Sequence, residues 1–167
     1  TEIRICDDNG NDIELGKPGE ICIRGPQVMV GYWNNPEETK KVMFDDGWFR
    51  TGDIGRMDEK GFVFIEDRKK DMIIVSGFNV FPNEIEGVVA NMEGILETAA
   101  IGMPSEKSGE AIKLFVVRNN ESITEEDIIN YCRKNLTPYK IPKKIVFKQE
   151  LPKTNVGKIL RRALRDS

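Results

Sequence analysis

The sequence predicts a mixed α/β (α+β) chain in two parts: a small β-rich part over residues 1–68 and a compact domain over residues 69–167. The second part is expected to hold a three-stranded sheet, a β-hairpin and flanking helices. Three observations lead there. Residues 1–66 alternate short strand-like runs with Gly, Asp, Asn and Pro turns. Residues 71–167 interleave strand-like and helix-like runs. Between them stand five successive charged residues, Asp67-Arg68-Lys69-Lys70-Asp71. With 167 residues, 39% hydrophobic and 32% charged, the composition is that of a globular chain rather than a disordered one.

In the first part, residues 2–6 alternate in strand fashion and end at the turn cluster Asp7-Asp8-Asn9-Gly10-Asn11. Gly16-Lys17-Pro18-Gly19 makes a second turn before a strand over 20–24. Residues 36–44 read as one short helix, with Asn35 as cap and acids in its first turn. Residues 61–66 form another strand, and in Gly47-Trp48-Phe49-Arg50-Thr51-Gly52-Asp53 the aspartate follows a glycine at a turn that holds its carboxylate in the open. Short strands without long helices suggest a small barrel or sandwich. Strands this short hide little apolar area, so this half is expected to lean on material outside the sequence. The opening at Thr1 in a strand-like run, without Met, points the same way: a piece of a longer protein.

In the second part, residues 72–75 and 78–81 flank Ser76-Gly77 as a hairpin. Ile85, Val88, Val89 and Met92 recur at i, i+3, i+4 and i+7, one apolar face of a helix over 82–92 that Gly94 stops. Strands follow at 95–103 and 111–117. Thr124 caps a helix whose Ile128, Ile129, Cys132 and Leu136 share a face, and residues 144–147 form a third strand. A short basic helix is expected over 158–165. No apolar run is long enough to span a bilayer.

Charge and composition narrow the chemistry. There is no histidine, which removes His-based triads, His-ligated zinc and imidazole acid–base catalysis. Cys6, Cys22 and Cys132 show no CxxC spacing, so three reduced, buried thiols of a cytoplasmic protein are expected. Residues 133–167 carry 11 Lys and Arg against two acids, while residues 1–132 carry 14 against 26. A basic tail on an acidic body suggests an anionic partner: nucleic acid, an acidic membrane surface or a phosphate-bearing small molecule. Only Tyr139 and Phe147 are aromatic within the tail, which weakens single-strand nucleic-acid binding.

Three segments carry candidate chemistry. In Leu151-Pro152-Lys153-Thr154-Asn155-Val156-Gly157-Lys158, Gly157 lets the backbone bend closely and Lys158 offers a compact charge to a phosphate oxygen. The Walker spacing fails, because Pro152 stands where glycine is required and Ile159 where Ser or Thr is required. Taken alone, such a Gly-Lys pair is more often a surface loop. The Asp53 carboxylate accepts from two donors at once, which matches the paired hydroxyls of a ribose; its bland reading is an Asx turn. Arg68 is a donor for sugar or phosphate, or else a surface ion pair. The charged run 67–71 is a solvated loop or a linker about which two parts move.

Four ordered motifs resemble successive signatures of the adenylate-forming enzymes, the superfamily of acyl-CoA synthetases, peptide-synthetase adenylation domains and luciferases. They are Glu20-Ile21-Cys22-Ile23-Arg24-Gly25 with Gly31-Tyr32-Trp33; Trp48-Phe49-Arg50-Thr51-Gly52-Asp53; the run from Asp67-Arg68-Lys69-Lys70-Asp71 through Ser76-Gly77-Phe78-Asn79-Val80-Phe81-Pro82; and Pro152-Lys153-Thr154-Asn155-Val156-Gly157-Lys158-Ile159-Leu160-Arg161. The resemblance covers essentially the whole chain and is greatest to bacterial long-chain fatty-acid–CoA ligases. Asp67 departs from the glycine that many relatives have before the arginine, a subfamily mark that leaves Arg68 in place.

The resemblance implies a C-terminal fragment of an ATP-dependent acid–thiol ligase that is inactive alone. Residues 1–68 would end the large N-terminal domain, and 69–167 would be the mobile C-terminal domain, hinged near Lys70. Asp53 and Arg68 would bind the ribose of ATP and AMP, with Ile65 near the nucleotide. Lys158 would be the catalytic lysine of adenylation. Ser76, Gly77 and Phe78 would line the CoA passage. The implied partners are a fatty acid, ATP or AMP, CoA and the missing N-terminal part. Mg2+ would accompany ATP with its ligands outside this chain, and no metal site is expected within it. No nucleic acid is expected. The implied location is cytoplasmic, with peripheral membrane contact compatible. The rival readings are an aryl-CoA ligase, a carrier-protein-loading adenylation domain, and a non-catalytic binding module with a basic tail.

Overall fold

A computed structural model describes residues 1–165. The chain divides into two compact units, Thr1–Lys70 and Asp71–Ser167.

The first unit is one antiparallel meander, in the order β1 (Glu2–Cys6), β2 (Gly19–Arg24), β3 (Phe49–Met57) and β4 (Val63–Arg68). This corrects the expectation of a barrel or sandwich: the strands pair only with their sequence neighbours. Helix α1 (Pro36–Val42) is capped by the Asn35 side chain, which accepts from Glu38 N–H. It stops two residues short of the expected end. Met43 is extended and bridges Phe49, and Phe44 N–H donates to Trp48 O, so the acidic Asp45-Asp46-Gly47 segment is the tip of a hairpin leading into β3. Phe44 packs on a small buried cluster of Cys6, Cys22 and Trp48. Arg4 and Arg24 both stack on Trp48, at 4.5 and 4.6 Å from the ring centroid.

Cys6 and Cys22 stand side by side on adjoining strands, with Cα atoms 6.8 Å apart. A 16-residue separation carries no local signature, and only the β1–β2 register brings the two side chains to one face. Cys132 is free and buried, and burial pushes its thiol up to about 11.

The second unit is a five-stranded sheet covered on both faces. The hairpin β5 (Ile73–Val75) and β6 (Phe78–Val80) is followed by α2 (Pro82–Ala90), β7 (Ile95–Ser105), β8 (Gly109–Arg118), α3 (Glu125–Asn135), β9 (Lys144–Phe147) and α4 (Arg161–Arg165). The hairpin is part of the main sheet instead of standing apart, because Val75 pairs with Gly109 at the start of β8. That contact leaves the rest of the β8 edge to β9, which pairs in parallel from Lys113↔Lys144 to Val116↔Phe147. One face packs Ile85 and Val89 of α2 and Ile128 and Cys132 of α3 against Ile73, Leu114 and Val116. The other face buries Ala99, Ile101 and Phe115 under Leu151 and Leu164. The i, i+3, i+4 spacing of the helices thus meets the period-2 alternation of β7 and β8. Among the described residues no helix is long and apolar enough to cross a membrane.

Candidate functional site

The geometry around Asp53 begins with a β-bulge. Glu20 pairs with Ile54 and Cys22 with Arg50, so Thr51, Gly52 and Asp53 oppose the single residue Ile21. Gly52 takes a φ of +73°, which a β-carbon would resist. Such bulges re-aim a side chain without ending the strand. Asp53 therefore lies inside β3, not in the open turn expected from its glycine. Its backbone N–H donates to Thr51 Oγ1 at 3.1 Å, and the Thr51 hydroxyl donates to Ile21 O at 2.8 Å.

On the neighbouring strand Arg68 is the register partner of Asp53, and its Nε lies 2.9 Å from Asp53 Oδ1. Both side chains stay partly open to solvent. A cleft of about 380 Å³ adjoins them, lined by Thr51, Gly52, Arg68, Lys69 and Lys70. An exposed carboxylate beside a guanidinium offers acceptors to hydroxyls and donors to phosphate or sugar oxygens from one spot. Ile65 lies on the same strand opposite Gly55 and is 72% exposed.

Glu20, which is not among the site residues expected from the sequence, supports this spot. It is only 4% exposed. Its carboxylate accepts from Arg50 (2.8 and 3.0 Å), from Lys69 (2.9 Å) and from Gly52 N–H (3.1 Å). One buried acid thereby joins the bulge to the start of the charged run. In the sequence it stands at the head of an Ile/Cys strand and opens the first of the four motifs, with no chemistry of its own to single it out. Asp67, expected in a solvated loop, is buried in β4, and Lys69–Asp71 form a single 3₁₀ turn that contains Lys70.

In the second unit Ser76 and Gly77 form the two-residue turn between β5 and β6, both with positive φ, +52° and +82°. Phe78 stacks on Tyr139 with centroids 4.6 Å apart. A pocket of about 270 Å³ beside the turn is lined by Val75, Ser76, Ser108, Tyr139 and Lys143, among others. Tyr139 and Lys143 could not be assigned from sequence, since more than 60 residues separate them from the turn they flank.

Lys158 is exposed on a hairpin and does not open a helix as expected. Lys153 and Ile159 bridge, Gly157 N–H donates to Thr154 O at 2.9 Å, and Thr154 N–H donates to Lys158 O at 2.7 Å. Gly157 supplies the positive φ (+80°) that the turn requires. The hairpin base is pinned to Glu97 through Lys153, while Ser76 lies beside the far end of β7 and β8, where its N–H donates to Ser108 O. Glu97 and Ser105 are about 25 Å apart along β7, at the usual rise per strand residue. The structure thus brings Asp53 and Arg68 together, and it sets the Ser76 turn and the base of the Lys158 hairpin toward opposite ends of one sheet.

The basic tail finds much of its neutralisation within its own unit. Lys140 pairs with Glu84, Lys153 with Glu97, Arg161 with Glu86, and Arg165 with Asp71. No group of acids and cysteines among the described residues could hold a metal ion.

Residues 84–158 match the family described as AMP-binding enzyme C-terminal domain, and residues 1–33 match that described as AMP-binding enzyme. The chain is 62% identical over 166 residues to a long-chain-fatty-acid–CoA ligase of Yersinia pestis, and 58% identical to one of Escherichia coli O157:H7. In each case the match covers 99% of this chain and 29% of the relative, so the chain spans about three-tenths of the length of these relatives. Among solved structures it is similar to ATP-bound MatB from Rhodopseudomonas palustris, with a TM-score of 0.94 at 40% identity, over 99% of this chain and 33% of that one.

Proposed function

We propose, from the premise that this chain belongs to the AMP-binding, adenylate-forming enzymes and is the C-terminal portion of one, that the whole protein is an ATP-dependent long-chain fatty-acid–CoA ligase. A fatty carboxylate attacks the α-phosphate of ATP and expels pyrophosphate. The thiol of CoA then attacks the acyl-adenylate, and AMP leaves. The 62% identity to a ligase of that name favours the long-chain acid over other acids.

Asp53 accepts the ribose hydroxyls and Arg68 assists, an assignment supported by their 2.9 Å pairing at the rim of a nucleotide-sized cleft. Ile65, exposed on the same strand, is the apolar neighbour. Lys158 supplies positive charge where two anions meet in adenylation. Ser76, Gly77 and Phe78, with Tyr139 and Lys143 beside them, line the passage for CoA. ATP brings its Mg2+ on ligands from the preceding part of the protein. The two steps need different groups at the reacting centre. We assign residues 69–167 as the domain that exchanges them, by rotation about Lys70. The observation that carries this reading is the placement of the Ser76 turn and the Lys158 hairpin toward opposite ends of one sheet.

The test is made on the full-length protein. Lys158→Ala should lower ATP–pyrophosphate exchange on the order of 10²–10³-fold, the loss typical of a removed transition-state donor. Thioester formation from supplied acyl-adenylate should be largely spared. Equal loss in both half-reactions would refute the assignment.

A further inference from the structure

The Lys158 hairpin has few anchors of its own. Its tip residue Val156 is 79% exposed, and its internal hydrogen bonds run between Thr154, Gly157 and Lys158 near the tip and from Leu160 N–H to Pro152 O at the base. Its place is therefore set by its base. On the upstream side Lys153 pairs with Glu97, with both side chains partly open to solvent. Downstream, Arg161 is held much more closely. Its Nε and Nη2 lie 2.9 and 2.7 Å from the two carboxylate oxygens of Glu86, and Nη2 also donates to Asn83 Oδ1 at 2.6 Å. Glu86 Oε1 in turn accepts Ala100 N–H at 2.8 Å, which fixes the acceptor to the middle of β7.

Arg161 has a second acid. Its Nη1 lies 3.6 Å from Asp71 Oδ2, and Arg165 reaches Asp71 Oδ1 at 2.7 Å. The Arg161, Glu86 and Asp71 side chains are only 17%, 16% and 12% exposed. Partly desolvated, fork-shaped contacts of this kind fix orientation as well as distance. Asp71 is the residue next to Lys70. A single guanidinium thus links the start of the second unit, the α2–β7 layer and the base of the lysine hairpin.

We infer that Arg161 is a positioning residue for adenylation. It holds the Lys158 hairpin at a fixed place relative to Asp71, so that rotation about Lys70 carries Lys158 to the same point each time. The inference rests on the roles of Lys158 and Lys70 proposed above. A displacement of about 1 Å, even one originating away from the chemistry, can lower a rate on the order of 10²-fold. A purely structural role would depress both half-reactions together. A positioning role depresses only the one that uses Lys158.

The experiment uses the full-length enzyme with Arg161→Lys, Asp71→Asn and Lys158→Ala. It reads ATP–pyrophosphate exchange, thioester formation from supplied acyl-adenylate, and deuterium uptake over residues 152–160. Arg161→Lys keeps the charge and loses the fork. It should lower exchange about 10–100-fold, leave thioester formation within about twofold of the parent, and speed uptake across the hairpin. Asp71→Asn should shift all three readouts in the same direction by less, and it decides the matter if Arg161→Lys does not fold. Parallel losses in both half-reactions, or undiminished exchange, would overturn the inference. If Arg161→Lys keeps full exchange while Lys158→Ala loses it, the positioning role alone fails. If Lys158→Ala keeps full exchange, the proposed role of Lys158 fails, and the inference with it.

Discussion

Burial pushes the Glu20 carboxyl up, and the hydrogen bonds from Arg50 and Lys69 more than reverse that push, so it sits below the usual carboxylate range. Burial likewise lowers the Lys69 ammonium, and its contacts with Asp8 and Glu20 carry it above the ordinary value. A depressed acid stabilises the fold above its unfolded value of about 4.3, and that stabilisation is lost as pH falls through the lower folded value. Glu20→Gln should therefore lower stability at neutral pH by about 1–3 kcal/mol, with Arg50 and Lys69 open enough to regain some hydration. It should also flatten the acid limb of the stability–pH curve. Urea melts at pH 7 and at acid pH, followed by the fluorescence of buried Trp48, measure both effects. An unchanged midpoint at neutral pH would show that Glu20 does not hold the Gly52–Asp53 bulge in place. Asp53 and Arg68 stand out in the sequence as candidates because a carboxylate and a guanidinium advertise their chemistry. Glu20 does not, because its role is created by burial.

Elements with local signals lie where the sequence predicts them. The hairpin at Ser76-Gly77, α2 and α3 each carry a turn, a cap or a periodic face within a dozen residues. Those whose cause is distant depart from what the local pattern predicts. β3 runs on through Gly52 and Asp53, which suggest a turn, since the bulge opposite Ile21 is what lets a strand contain Gly52. The segment after Pro152 folds back as a hairpin because Leu160 N–H donates to Pro152 O and Arg161 is drawn to Glu86, more than 70 residues away. Only α4 remains helical there. For α3 the local signal is strong enough to test by itself. The Thr124 side chain accepts from Asp127 N–H, and the Asp127 carboxylate accepts from Thr124 N–H, a reciprocal capping box. Thr124→Ala should lower the stability of the second unit by about 1 kcal/mol, read as a shifted urea midpoint with an unchanged slope. A shift within error would mean that packing of Ile128 and Cys132 suffices to start the helix.

The two units differ in how far they can stand alone. Asp71–Ser167 closes two clusters around its own sheet, so residues 71–167 expressed separately should unfold cooperatively. A featureless, gradual melt would contradict this. Thr1–Lys70 buries little beyond Cys6, Cys22, Trp48, Ile5, Ile21 and Ile54, and it leaves Val30, Trp33, Phe62 and Ile65 exposed. Its apolar surface fits a chain that spans 29% of its relatives. This chain by itself should show no ATP–pyrophosphate exchange, and measurable exchange would place the whole adenylation site within these residues. At this scale the sequence motifs identified the family, while the separation of the Ser76 turn from the Lys158 hairpin needed coordinates, since it depends on the length of β7. The Ser76-Gly77 turn carries one more consequence. Two successive positive φ values define a type I′ turn, for which asparagine, not serine, is the preferred first residue. Laboratory evolution rewarding heat resistance alone should then accumulate Ser76→Asn, whereas a screen rewarding acyl transfer should keep the hydroxyl, and divergence of the two lineages at that codon would register what the serine is for.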